Sequence, residues 1–137
     1  METGFYPPPS PIQKPRIPIW VVGAWPRMKS MRRVLRFDGI LPTKMVGGKH
    51  VKVEPDDVRI IKSWITEHRS EEAIFDIIIE GKTGTNPNEW SKIILPYYAA
   101  GATWWIESMW DIMEKQNSKE LLLRRIRQGP PCIEQAT

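Results

Sequence analysis

Residues Ile17 to Gly39 read IPIWVVGAWPRMKSMRRVLRFDG, and this stretch decides the fold. Ile19-Trp20-Val21-Val22 is a short run of β-branched and aromatic residues, the composition of a buried strand. Gly23 breaks the run. Pro26 stands where a helix opens, since proline suits the first helical position. Met28, Met31 and Leu35 then recur at helical spacing, with Arg27, Arg32, Arg33 and Arg36 on other faces. The expectation is strand, tight glycine turn, helix. In that turn the backbone N–H groups of Gly23, Ala24 and Trp25 lack intrahelical partners. A helix N-terminus of this kind attracts anions, phosphate above all. Gly23 would allow close approach to the backbone, and Arg27 would add charge. An ordinary βα turn followed by a solvated basic helix has the same signature.

The same rhythm continues outward. Residues 1–17 are a proline-rich arm in which Pro7, Pro8, Pro9, Pro11 and Pro15 forbid regular helix or central strand. Residues 18–131 form the folded domain, and 132–137 a C-terminal tail. Asp38 to Pro42 reads as a second strand, followed by a loop over 44–53 that contains Gly47-Gly48. Pro55 opens a helix running to His68-Arg69. Asp56 and Asp57 lie in its first turn, and Val58, Ile61 and Ile65 form a core stripe. Ala73 to Glu80 is almost continuously apolar, as in a strand covered on both faces. Asn86-Pro87-Asn88-Glu89 signals a new helix, with Asn86 as cap. Pro96 should kink or end that helix, and Gly101 should cap it. Ala102 to Glu107 is the fourth strand. Ser118 to Gln128 is the last helix, with Leu121, Leu122 and Ile126 left for packing between its arginines. Four βα units of this kind predict an α/β fold with a parallel sheet. A small doubly wound sheet fits, and so does half of an eight-fold (β/α)8 TIM-type barrel.

Composition narrows the function classes. The chain has 137 residues, one domain's worth, with 41% hydrophobic and 26% charged residues. The single cysteine, Cys132, allows no internal disulfide. No leader peptide and no membrane-length apolar run is read, so the cytoplasm is the expected compartment. His50 and His68 are far apart and no Cys/His cluster has ligand spacing, so no metal site is expected. There is no nucleophile elbow, Walker loop or dinucleotide fingerprint. The formal charge of +4 suits a phosphorylated ligand. It also leaves open a non-enzymatic, self-associating or nucleic-acid-binding basic module. Arginines without interleaved exposed aromatics weigh against nucleic acid.

In both candidate architectures function sits at the C-terminal ends of the strands. That rule selects Gly23-Ala24-Trp25, Pro42-Thr43-Lys44, Glu80-Gly81-Lys82-Thr83 and Glu107-Ser108. Glu80 and Glu107 each end an apolar strand, either as carboxylates facing a site or simply where the strand meets water. Trp104-Trp105 would wall a pocket or fill core on two opposite faces.

PIWVVGAWPR, RVLRFDGILPT, FDIIIEGKT and YAAGATWWIES, in this order, resemble the luciferase-like monooxygenase family, over about residues 7–131. The resemblance implies a flavin- or deazaflavin-dependent oxidoreductase on a (β/α)8 barrel, of which this chain is similar to the C-terminal half. By the same resemblance Gly23, Ala24 and Trp25, with Arg27, bind the phosphate of FMN or a deazaflavin. No catalytic residue is assigned. Much of the ring bed and substrate pocket would come from the other half, so the isolated chain is expected to be inactive. Its bare sheet edges are expected to drive self-association or pairing with a complementary N-terminal half.

Overall fold

The computed structural model describes residues 9–10, 12–14, 16–70, 73–112 and 117–131. Most of the proline arm and Cys132 lie outside the described residues. The chain runs β1 (Trp20–Trp25), α1 (Met28–Val34), β2 (Gly39–Val46), β3 (Lys49–Val51), α2 (Pro55–His68), β4 (Asp76–Gly81), α3 (Pro87–Ala100), β5 (Trp104–Glu107), a 3-10 turn (Trp110–Ile112) and α4 (Ser118–Arg127). It is an α/β fold with a predominantly parallel sheet.

The four parallel strands lie in chain order, β1-β2-β4-β5. The register pairs Trp20 with Gly39, Ile40 with Ile77, and Ile78 with Trp104. Met31 and Val34 of α1, Val58, Ile61 and Ile65 of α2, and Tyr97 and Ala100 of α3 share one core with Ile40, Ile77 and Ile79. Those three helices therefore cover one face of the sheet. A doubly wound sheet carries helices on both faces. Met31, Val34, Ile40, Val58 and Ile61 are fully buried. Each such side chain contributes about 1.5–3 kcal/mol relative to exposure.

Several boundaries differ from the sequence reading for identifiable reasons. β1 does not break at Gly23 but continues to Trp25. A Cβ at Gly23 would stand 2.5 Å from Ile40 Cδ1 and 3.0 Å from Val34 Cγ2. The glycine is there so that α1 and β2 can close onto β1. Pro26, joined to Trp25 by a cis bond, precedes α1 rather than opening it, and Arg27 is the N-cap. The segment 44–53 is not a loop. β2 extends to Val46 and folds back into the antiparallel strand β3, pairing Val46 with Lys49. Gly47 and Gly48 make that two-residue turn with φ of 57° and 80°. Two positive φ values in succession are what such a hairpin turn requires. Pro96 sits inside α3, which continues past it to Ala100. The helix stops at Gly101, whose φ of 107° few other residues tolerate.

The helix ends at Pro55 and Asn86 follow the sequence signals. Asp57 accepts the Glu54 N–H and Asn86 accepts the Asn88 N–H. In α4 Leu121 and Leu122 are half-buried as expected, but Arg125 is 5% exposed and Ile126 70% exposed, the reverse of the expected pair. Among the described residues no helix is long and apolar enough to cross a membrane.

Candidate functional site

Strand alternation puts Trp20, Val22 and Ala24 of β1 on the face away from the helices. Leu41 and Thr43, Asp76, Ile78 and Glu80, and Trp104 and Ile106 join them from β2, β4 and β5. The two ends of this face differ. At the N-terminal end the Trp20 indole crosses Gly39, whose missing side chain leaves it room, and donates to Asp76 Oδ2 at 3.1 Å. Its ring then meets Trp104 of β5, with centroids 5.3 Å apart. A residue of the first strand thus touches one of the last across this face. Thr103 Oγ1 fixes Asp76 from the other side at 2.9 Å. Toward the C-terminal ends the face is open. Val22 is 52% exposed, Ile106 38% and Trp110 75%. Trp110 donates to Glu80 Oε1 at 2.6 Å, which pins the 3-10 turn beside the strand end. Trp105 faces the other way, against Tyr97 with centroids 5.6 Å apart and backed by Gly81. The tryptophan pair therefore serves two opposite faces.

The corner after β1 differs in detail from its sequence reading. Gly23 lies within the strand. The Ala24 N–H is already engaged by Ser30 Oγ at 3.0 Å, and the Ala24 carbonyl accepts the Arg27 N–H at 2.8 Å. Gly23 and Ala24 thus do not present a free N–H cradle. What remains for an anion is side-chain charge. Arg27 is exposed and has no side-chain partner among the described residues. With Lys29, Ser30, Arg32, Arg33 and Arg36 it lines an open hollow of about 710 Å³. Arg33 is anchored there through a hydrogen bond to the Val22 carbonyl at 2.9 Å.

Glu107 is the most heavily engaged carboxylate at the strand ends. It accepts from the Thr83 N–H at 2.9 Å, from Thr83 Oγ1 at 2.8 Å and from Trp105 Nε1 at 3.1 Å. The Arg125 guanidinium lies 3.5 Å away. Arg125 also donates to the Gly129 carbonyl at 2.6 Å and to Thr83 Oγ1 at 3.2 Å, and stacks 4.6 Å from the Trp90 ring centroid. This node ties α4 to α3 and to the β4 and β5 ends. Three hydrogen bonds and the nearby guanidinium fix the Glu107 carboxylate in place, and it in turn positions its neighbours. Beside the node a cleft of about 510 Å³ opens between Trp105, Leu122, Ile126 and Pro131.

The other strand ends are occupied by structural pairs. Lys44 bonds Asp57 at 2.7 Å, and Lys82 bonds Asp111 at 2.6 Å. Burial pushes the Tyr97 hydroxyl up in pKa despite the opposing Lys52 charge, while the hydroxyl donates to the Val53 carbonyl at 2.9 Å. At the foot of β1, Asp38 accepts from Arg16 at 2.5 Å and from the Ile19 N–H at 2.6 Å. The Arg16 bond, then the Ile19 bond, hold its carboxyl below the usual range.

Sequence reasoning singled out Glu107 but missed Arg125, because Thr83, Glu107 and Arg125 are far apart in the chain. The one available signal was spacing, since Arg125 stands four residues after Leu121 and three after Leu122. Trp20 was read only as strand filling, and its partners on β4 and β5 carry no local signature. No family model, no curated protein and no solved structure matches the chain at a significant level.

Proposed function

We propose that this chain is one half of a (β/α)8 barrel of the luciferase-like kind, supplying the cofactor-phosphate end of a flavin- or deazaflavin-dependent oxidoreductase. The observation that carries the reading is the sheet. Four parallel strands in chain order have helices on one face, and among the described residues no further strand pairs with either edge. A barrel is such a sheet continued until it closes.

The fit to a flavin phosphate is partial. Charge fits, since Arg27 and its neighbours offer several cations along one hollow. A backbone cradle at Gly23-Ala24 does not fit, for the reasons of packing and hydrogen bonding given above. The phosphate is therefore assigned to Arg27 and the start of α1. Ile106 and Trp110 offer apolar and aromatic surface at the open end of that face. When bound, a flavin supplies the redox chemistry, and the protein supplies placement and charge. Glu107 is a positioning residue in this account, because all its donors are structural. The second half needed for turnover is a complementary chain or a second copy. Titration with FMN tests the reading, with riboflavin as the control that lacks the phosphate. Arg27→Ala should weaken FMN and leave riboflavin unchanged.

A further inference from the structure

We propose that the half which closes this sheet is a βα unit with acidic edge helices, and not a second copy of the chain. The inference rests on the half-barrel reading and identifies the chemistry of its partner. Each free sheet edge is flanked by one helix. α1 packs on β1, burying Met31 and Val34 beneath it. α4 stands on the β5 side, its Arg125 tied to Glu107 and a cleft left between Trp105 and Leu122. Closing the ring sets the partner's last helix beside α1 and the partner's first helix beside α4.

Both edges carry the same sign. From Pro26 to Phe37 the chain has Arg27, Lys29, Arg32, Arg33 and Arg36 and no acid. On α4 Lys119, Arg124 and Arg127 are exposed, against a single Glu120. Arg125 is turned inward and neutralised by Glu107. Acids near the edges are paired with cations, Asp38 with Arg16, Glu107 with Arg125 and Asp111 with Lys82, while the middle elements carry Asp56, Asp57 and Glu67 on α2, Glu89 on α3, and Asp76 and Glu80 on β4. Closure by a second copy would bring α1 of one chain against α4 of the other twice over, cation facing cation at both seams. Charges within about 8 Å of one another are not fully screened at physiological salt. Like-charge juxtaposition at an interface excludes wrong partners, and opposite charge selects right ones. The apolar part of the contact, with Val22, Trp104 and Ile106 exposed, supplies affinity to either candidate. Charge is what chooses between them.

The test uses a charge-reversed copy as the surrogate acidic half. Arg32→Glu, Arg36→Glu, Arg124→Glu and Arg127→Glu together change four exposed positions and take the net charge from +4 to −4. Far-UV circular dichroism first establishes that this variant folds. Sedimentation of equimolar wild type and variant at about 50 mM salt should give a 1:1 complex. It should be about tenfold or more tighter than the wild-type homodimer, and weaken as salt is raised to about 500 mM. Independently of the variant, self-association of the wild type should strengthen over the same salt range as repulsion is screened. A wild-type homodimer as tight as the mixture, or one that weakens with salt, overturns the acidic partner while leaving the half-barrel intact. Absence of association in every combination overturns the half-barrel reading itself.

Discussion

Replacing Gly23 by alanine separates packing from ligand approach as the reason for that glycine. The added Cβ would lie 2.5 Å from Ile40 Cδ1, 2.9 Å from Ile40 Cγ1 and 3.0 Å from Val34 Cγ2. Ile40 and Val34 are both at 0% exposure, so neither has free space into which to turn. Overpacking of a filled core costs about 1–3 kcal/mol. Alanine recovers about 0.5–1 kcal/mol of strand preference over glycine. The net expectation is a loss of about 1–2 kcal/mol. For a domain of this size 1 kcal/mol corresponds to about 3–4 °C, so the Tm should fall by about 3–8 °C in a calorimetric scan. Gly39→Ala should cost more, because its Cβ would lie 2.8 Å from the Asp76 carbonyl oxygen, a backbone atom. A Gly23→Ala protein with unchanged Tm but impaired flavin binding would refute the packing argument and restore the glycine to an anion-binding turn.

Glu107→Gln removes the charge opposite the buried Arg125 guanidinium. It should cost about 2–3 kcal/mol, below the usual range for a broken buried pair because Glu107 remains partly solvated, and be read as a lower urea midpoint. Asp38 governs acid stability. Its carboxyl is held below the usual range in the folded state by Arg16 and the Ile19 N–H. Its contribution is therefore present above the unfolded-state value of 3.8 and lost as pH falls through the folded value. Tm measured from pH 7 to about pH 3 should decline less steeply for Asp38→Asn than for the wild type, with both slopes alike above pH 5.

The α/β alternation was legible because each helix carries its own periodic stripe and terminal signals, as Pro55 to His68 does with Val58, Ile61 and Ile65. What escaped depends on contacts between distant residues. Gly23 looks like a strand breaker until Ile40 and Val34 are seen to occupy its side-chain space. Gly47-Gly48 is a loop or a hairpin according to whether Val46 and Lys49 pair, and only the extended flanks decide it. Trp20 carries no hint that it reaches over two strands to Trp104. At the candidate site the basic character of α1 was readable directly. The engaged Ala24 N–H was not, because Ser30 Oγ reaches back from a helix whose start was displaced by two residues. Arg125 was misjudged for a related reason. Helical periodicity marks which positions face inward, whereas a cation is buried only where an acid such as Glu107 waits for it.

The most direct test of the flavin reading is a fluorescence titration of the chain, alone and closed by the charge-reversed copy, with FMN and with riboflavin. FMN should bind about tenfold or more tightly than riboflavin, and Arg27→Ala should abolish that difference, since a charged hydrogen bond to phosphate contributes about 1.5–3 kcal/mol. Equal affinity for the two flavins, or binding of neither in the closed assembly, would contradict a cofactor-phosphate site at the start of α1.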